Sequence, residues 1–138
     1  MAVVGYAPGA YDMFHIGHLN ILRRASLECD RLIAGVVTDD VVCKAKSKAP
    51  IVPFDERLEI VRSVRYVHEA VPDWTVDKFE MWECLNFDVL FKGDDWRGTE
   101  RGKRLETRLA AVGAKVVYFP YTIHTSSTAL RKLVSIPS

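Results

Sequence analysis

Short apolar segments alternate along the chain with longer segments in which apolar residues recur every three or four positions. The short segments predict five β-strands, over residues 3–7, 31–38, 66–71, 89–92 and 115–119. The longer segments predict α-helices over residues 18–28, 54–63, 75–85, 100–112 and 127–134. Residues 39–53 are interpreted as a long polar connection, of the kind that often moves over a ligand.

Strict alternation of strand and helix predicts an α/β fold: a doubly wound parallel sheet of five strands with helices on both faces. In such a sheet, ligands bind beyond the carboxyl ends of the strands, at the point where the strand order reverses. Candidate functional residues are therefore expected directly after the predicted strands.

Composition favours a single domain over residues 1–138, because 49% of the 138 residues are hydrophobic and 27% are charged. The formal net charge of +1 argues against a nucleic-acid-binding protein. The longest apolar runs are far shorter than the roughly 20 residues of a membrane span, and no charged-then-apolar leader opens the chain, so a cytoplasmic location is expected. The 3 cysteines lack CxxC spacing, which favours reduced thiols over disulfides or a zinc site.

Two histidines flank a glycine directly behind the first strand, in the segment His15-Ile16-Gly17-His18. Backbone N–H groups and the helix dipole favour negative charge at a strand-to-helix turn, so this segment is interpreted as a phosphate site. The alternative is that both histidines only pack against the rest of the protein. Asp12 either braces the turn or contacts the ligand.

Basic residues follow the second strand. Lys44 and Lys46 are two positions apart, and in an extended loop both ammonium groups would lie on one side, where they could hold two phosphates. The alternative is a solvated basic loop. Arg57 and Arg65 lie on or just after the second predicted helix, where a guanidinium group would suit the substrate phosphate. Asp39 is interpreted as positioning the lysine loop or the substrate hydroxyls.

Further polar segments follow the later strands. In Gly93-Asp94-Asp95-Trp96 the two carboxylates can accept hydrogen bonds from a ribose or base, or hold Mg²⁺ together with phosphates, while the tryptophan either stacks on a base, covers the pocket or packs in the core. Trp74, at the exit of the third strand, either lines an alcohol pocket or is structural. Hydroxyl residues open the last helix, where they either bind phosphate or cap the helix: Thr125, Ser126, Ser127 and Thr128.

Together these segments resemble the cytidylyltransferase branch of the HxGH nucleotidyltransferases, and most of all the bacterial glycerol-3-phosphate cytidylyltransferases. The resemblance rests on residues 9–12, His15 to His18, Lys44-Ala45-Lys46, Gly93 to Trp96 and residues 125–128. It implies a Rossmann-like fold, a homodimer, and transfer of CMP from CTP to a phosphorylated alcohol with release of pyrophosphate, using Mg²⁺.

The residues are assigned three roles on these grounds. The catalytic residues are His15, His18, Lys44 and Lys46. The nucleotide-binding residues are Gly9, Ala10, Tyr11, Gly17, Gly93, Asp94, Trp96, Thr125, Ser126, Ser127 and Thr128. The acceptor-binding residues are Asp39, Arg57, Arg65 and Trp74, and no side chain is assigned as a metal ligand.

The chain departs from the family pattern before the last helix. Tyr121 stands where family members carry an arginine that touches phosphate, and Arg131 is hypothesised to supply the missing charge. Two alternative functions stay open. One is an adenylyltransferase of the same superfamily that acts on a sugar phosphate or a cofactor precursor; the other is a catalytically weakened nucleotide-binding module.

Overall fold

The computed structural model describes residues 2–120 and 126–134. Within them a parallel sheet contains the strands β1 (Val4–Gly9), β2 (Arg31–Val37), β3 (Glu69–Asp73), β4 (Val89–Gly93) and β5 (Lys115–Phe119). The strand order is β3-β2-β1-β4-β5, so the chain first winds outward from β1 in one direction and then returns to add β4 on its other side. The carboxyl ends of β1 and β4 therefore form the switch point at which such folds bind ligands.

Helices cover both faces of the sheet, which confirms the predicted Rossmann-like α/β fold. They are α1 (Ile16–Ser26), α2 (Asp39–Lys46), α3 (Phe54–Arg62), α4 (Phe79–Leu85), α5 (Glu100–Ala110) and α6 (Ser127–Val134). Leu22 of α1 and Val61 of α3 are buried in one apolar core, whereas Met81 of α4 and Leu105 of α5 are buried in a second. In the described part of the chain, no helix is both long enough and apolar enough to cross a bilayer.

The structure corrects the predicted connection over residues 39–53, because it contains the helix α2. This helix buries only Val41 and Val42, which pack against Val37 at the end of β2. Two apolar residues in eight are too few to reveal a helical period in the sequence. Its acidic first turn fits the helix dipole, and Ser47 ends it in the left-handed conformation, with a φ of 58°.

The strand β3 begins at Glu69 instead of the predicted residue 66, and the helix α4 begins at Phe79 instead of the predicted residue 75. A buried polar cluster explains the delay of the helix. The carboxylate of Asp73 accepts hydrogen bonds from the backbone N–H and the hydroxyl of Thr75, from the Tyr6 hydroxyl, and pairs with Lys78 at 3.0 Å. These bonds hold residues 73–75 in a turn instead of a helix.

Candidate active site

A cavity of about 460 Å³ lies at the carboxyl ends of β1 and β4. The β1–α1 turn, the end of α2, the end of β4 and the start of α6 supply its walls. Eleven of the residues predicted for the site line it: Gly9, Ala10, Tyr11, His15, Gly17, His18, Lys46, Gly93, Ser126, Ser127 and Thr128. Thr125 lies outside the described residues.

Local hydrogen bonds fix the two histidines at the start of α1. His15 is the N-cap residue, and its Nδ1 accepts a hydrogen bond from the backbone N–H of Gly17 at 3.0 Å. The Nδ1 of His18 in turn accepts from the backbone N–H of His15 at 3.2 Å. An Nδ1 atom that accepts a hydrogen bond carries no proton, so each neutral ring bears its proton on Nε2. Both histidines can therefore donate a hydrogen bond from Nε2.

The electrostatics of the pair keep the rings uncharged. Burial lowers the pKa of His18 to about 3, with smaller contributions from the neighbouring charges of His15 and Lys46, and Asp12 acts weakly in the opposite direction. Burial also lowers the pKa of His15. The ring centroids are 3.9 Å apart, so two imidazolium ions would repel each other strongly. The rings consequently act as neutral donors at pH 7 and not as proton carriers.

Ser127, in the first turn of α6, contacts this pair. Its hydroxyl donates to the backbone carbonyl oxygen of Asp12 at 2.7 Å and lies 3.3 Å from the Nε2 atom of His15. The hydroxyl proton is directed at the carbonyl, so the serine oxygen can accept the Nε2 proton of His15. This contact agrees with the tautomer that the backbone N–H groups dictate.

Two lysines bring positive charge to the cavity. Lys46 ends α2, and Lys92 lies in β4, half-buried, after the apolar residues Val89 to Phe91. Burial lowers the pKa of Lys92, as do the charges of Lys78 and Arg101, while Asp95 raises it. Sequence reasoning missed Lys92. The available signal was a single lysine at the carboxyl end of an otherwise apolar strand, where a cation is costly unless it has a ligand or partner.

Lys44 does not line this cavity, which corrects its predicted assignment as a catalytic residue. It lies on the helix α2 and not in an extended loop. Residues two apart on an α-helix point roughly 200° from each other, whereas they share one side of an extended chain. Lys46 therefore lines the cavity while Lys44 is exposed outside it.

Arg57 was predicted to bind the acceptor, but its side chain is fully buried within the protein. Its Nε donates to the carbonyl oxygen of Val52, and its Nη1 donates to the carbonyl oxygens of Ala10 and Val37. The remaining nitrogen pairs with the carboxylate of Asp39. Arg57 therefore joins the ends of β1 and β2 to the segment before α3, and Asp39, also predicted to bind the acceptor, serves as its counterion.

The other two predicted acceptor residues also lie outside the cavity. Arg65 precedes β3, so it lies at the amino-terminal edge of the parallel sheet, where its guanidinium group is over the Tyr66 ring at 5.7 Å. That edge is opposite the cavity, which corrects the assignment of Arg65. Trp74 does follow the carboxyl end of β3, but its side chain does not line the cavity and the residue is 58% exposed.

The residues after β4 form a short 3₁₀ turn, Asp94–Trp96, which changes which side chain faces the cavity. Asp95 lines it, whereas Asp94 and Trp96, both predicted to bind nucleotide, do not. Trp96 instead packs against the core that contains Leu105 and borders a second cavity. The tight turn, not visible in the sequence, accounts for this correction.

Asp12 braces the site. Its carboxylate is buried and accepts hydrogen bonds from the backbone N–H groups of Ile51 and Val52 at 2.9 and 2.8 Å and from Arg131 at 3.0 Å. Arg131 also donates to the carbonyl oxygen of Ala49. The guanidinium group thus holds α6 to the segment before α3, so the hypothesis that it supplies charge to the phosphate site is wrong for this conformation. Tyr121 lies outside the described residues.

Carboxylates are scarce around the cavity. Asp12 is committed to the partners above, which leaves Asp95 as the other acidic side chain among the described lining residues. No group of three or more metal-ligating side chains occurs in residues 2–120 and 126–134. A magnesium ion fits such a site where substrate phosphates supply most of its ligands, because Mg²⁺ usually binds one or two carboxylates together with phosphates and water.

The protein therefore has a Rossmann-like fold with a cavity at the switch point that is lined by two histidines and two lysines. A family model described as Cytidylyltransferase-like matches residues 6–133. The chain belongs to this family and is a nucleotidyltransferase, which confirms the resemblance read from the motifs.

Several characterised proteins are similar over most of the chain. The FAD synthase of Thermococcus kodakarensis is 29% identical over 128 residues, covering 91% of this chain and 85% of that protein. The glycerol-3-phosphate cytidylyltransferase of Bacillus subtilis is 30% identical over 129 residues, covering 92% and 93%. The ethanolamine-phosphate cytidylyltransferase of Arabidopsis thaliana is 35% identical over 95 residues, covering 65% of this chain and 22% of that protein.

A solved structure shows the same fold. The lipopolysaccharide core biosynthesis protein from Thermoplasma volcanium superposes with a TM-score of 0.74 at 21% identity, covering 91% of this chain and all of that one.

Proposed function

We propose that this nucleotidyltransferase transfers CMP from CTP to a small phosphorylated alcohol similar to glycerol 3-phosphate. The observation that carries the proposal is the pair of neutral imidazoles beside Lys46 and Lys92 at the β1–β4 switch point. The similarity to the cytidylyltransferases of Bacillus subtilis and Arabidopsis thaliana supports the choice of CTP and of an alcohol phosphate.

The reaction would need no protein nucleophile. An oxygen of the acceptor phosphate forms a bond to the α-phosphorus of CTP. The bond from that phosphorus to the oxygen bridging to the β-phosphate breaks, and pyrophosphate leaves with the electron pair, giving a CDP-alcohol. The protein contributes position and charge stabilisation.

Each part of the cavity has a role in this scheme. The Nε2–H groups of His15 and His18 donate hydrogen bonds to the phosphate chain, where donors fixed in advance strengthen as negative charge develops. Lys46 and Lys92 neutralise phosphate oxygens. The hydroxyls of Ser126 and Ser127 and the N–H groups that begin α6 bind the terminal phosphates, since a helix amino terminus favours anions.

Mg²⁺ is proposed as the cofactor, held by the triphosphate together with Asp95. When bound, it would supply charge neutralisation on the phosphate oxygens. Homodimerisation, which the resemblance implies, and a cytoplasmic location, which the sequence predicts, also stay proposals. Size-exclusion chromatography with light scattering tests the first, and cell fractionation tests the second.

Adenylyl transfer is the second candidate, and two observations favour it. One is the similarity to the FAD synthase of Thermococcus kodakarensis. The other is that Asp94 and Trp96, which the comparison with the cytidylyltransferase branch assigned to nucleotide binding, lie outside the main cavity.

A substrate panel separates these functions. Pyrophosphate release is measured with CTP, ATP, GTP and UTP, each paired with glycerol 3-phosphate, ethanolamine phosphate or FMN in the presence of Mg²⁺. We expect CTP to exceed ATP at least about tenfold in kcat/KM, as one discriminating hydrogen-bonded contact in a buried site can provide. A preference for ATP would establish the alternative, and no release from any pair would leave a binding module.

A further inference from the structure

A second cavity, of about 370 Å³, lies between the turn after β3 and the helix α5, outside the site described above. Four cationic side chains line it, together with the single carboxylate of Asp77: Lys78, Arg101, Arg104 and Arg108. Trp96 and Leu105 are among the apolar residues of its wall. The cavity thus combines a strong excess of positive charge with an apolar surface.

Two of the four cations already have a carboxylate partner. Lys78 pairs with the buried Asp73 at 3.0 Å, and Arg108 pairs with Asp77. Arg101 contacts the Trp96 ring, 4.3 Å from its centroid, and has no carboxylate within salt-bridge distance among the described residues. Arg104 makes no hydrogen bond or ion pair within residues 2–120 and 126–134. The cavity therefore has two guanidinium groups that form no salt bridge within the described part of the protein.

The arginines lie on one face of α5, since their spacings are three and four residues. Like charges at these spacings destabilise a helix by roughly 0.2–0.5 kcal/mol per pair. The pairs Arg101–Arg104 and Arg104–Arg108 both carry this penalty, which Glu100, four residues before Arg104, and Asp77, paired with Arg108, offset in part. An anion in the cavity would convert this repulsion into attraction, because one bound group would face all three guanidinium groups.

The Trp96 ring contacts one cation from each of the two cavities. The ammonium group of Lys92, which lines the main cavity, lies 4.0 Å from the centroid of the Trp96 ring, and Arg101 contacts the same ring from the second cavity. The second cavity is also bounded by residues 76–78, directly after Trp74 at the carboxyl end of β3. Lys92 of the main cavity and Arg101 of the second cavity therefore lie close to each other, on one tryptophan.

We propose that the cavity between α5 and the turn after β3 binds a second anionic group of the acceptor substrate, so that the acceptor is a phosphorylated alcohol that also carries a carboxylate or a second phosphate. The inference rests on the proposed function: the acceptor's attacking phosphate lies in the main cavity, and its distal anion contacts Arg101 and Arg104. The bonds formed and broken are those of the CMP transfer described above.

Three acceptors that differ at the distal end test this. Ethanolamine phosphate carries a distal ammonium group, glycerol 3-phosphate a hydroxyl and 3-phosphoglycerate a carboxylate. With CTP, we expect kcat/KM to rise in that order and to be roughly tenfold higher for 3-phosphoglycerate than for glycerol 3-phosphate, as one charge-assisted hydrogen bond provides. Arg104→Gln should remove most of this difference by raising KM for 3-phosphoglycerate alone.

The matched control is Lys103→Gln, which removes one positive charge from the neighbouring position of α5 without altering the cavity lining. It should keep the wild-type order of acceptors. Arg101→Gln provides a second variant in case Arg104→Gln does not fold. Calorimetric binding of 3-phosphoglycerate, weakened roughly tenfold in Arg104→Gln, gives a readout that does not need turnover.

The outcomes separate the two proposals. If no acceptor releases pyrophosphate from CTP, the proposed function fails, and the calorimetric measurement alone decides whether the second cavity binds the anion. If glycerol 3-phosphate is used as well as 3-phosphoglycerate, or if Arg104→Gln slows all acceptors equally, the proposed function survives and the second anion site is refuted.

Discussion

Arg57 offers the sharpest test of the structure against the sequence, because the two assign it different roles. The sequence predicts a substrate-binding arginine, and the structure buries it as a connector between backbone segments. The substitution Arg57→Met removes the charge while keeping a long side chain. If Arg57 binds substrate, the variant should fold normally and bind the acceptor poorly. If Arg57 connects backbone segments, the variant should lose stability.

The expected loss follows from the groups left behind. Arg57→Met removes the hydrogen-bond donor from three backbone carbonyl oxygens and the counterion from Asp39. Removing one partner of a buried ion pair costs about 3–5 kcal/mol. The half-exposed carboxylate of Asp39 can regain water, so we expect a loss near the lower end, about 3 kcal/mol. For a chain of this length that corresponds to a fall in Tm of roughly 10 °C.

Thermal unfolding followed by circular dichroism measures this loss, and Arg62→Met on the same helix is the control. Arg62 is exposed and pairs only with the exposed Glu59, so its removal should change Tm by less than about 2 °C. A Tm for Arg57→Met within that range, accompanied by a raised KM for the acceptor, would refute the structural role and restore the interpretation from the sequence.

Three further predictions concern the main cavity. Lys46→Ala should reduce kcat/KM at least about tenfold while Lys44→Ala on the same helix stays within about twofold, and equal effects in steady-state kinetics would contradict the helical placement. Lys92→Met should weaken calorimetric binding of CTP at least about tenfold with the fold intact; an unchanged Kd would exclude Lys92 from the phosphate site. The folded-state pKa of His18 is about 3, below its unfolded value, so the unfolded chain takes up this proton first as the pH falls. The free energy of unfolding should therefore drop by about 2 kcal/mol between pH 7 and 5 in urea titrations, and His18→Gln should remove most of that drop, whereas an unaltered slope would disprove the lowered pKa.

The features that the sequence predicted well depend on the path of the backbone. Strand-length apolar runs and the glycine between His15 and His18 report where the chain extends and turns, and these were enough to predict the parallel sheet and the position of the cavity at its switch point. The final strand and the final helix have the predicted bounds, Lys115–Phe119 and Ser127–Val134. The strand begins after a clear boundary, since Gly113 adopts a φ of 84° after α5.

The features that the sequence did not predict depend on side-chain direction. Whether Lys44 and Lys46 share a side depends on a helix with only two buried residues, and whether Asp94 or Asp95 faces the cavity depends on one 3₁₀ turn. The guanidinium group of Arg57 is chemically suited to bind phosphate, and only its burial shows that it connects backbone segments instead. These choices are set by tertiary contacts, which local patterns do not contain.

The charged side chains around the proposed phosphate site divide into two groups, and this division explains how the carboxylate of Asp12 is tolerated there. Asp12 would repel a triphosphate, but two backbone N–H groups and Arg131 occupy its oxygens, so the residue organises three chain segments without adding free negative charge to the cavity. Arg57 and Asp39 do the same at the ends of β1 and β2. The charges that position the backbone are thus neutralised inside the protein. The field that a phosphate would meet comes from Lys46, Lys92 and the amino termini of α1 and α6, opposed by the carboxylate of Asp95. The uncharged histidines supply hydrogen-bond donors in fixed directions instead of charge.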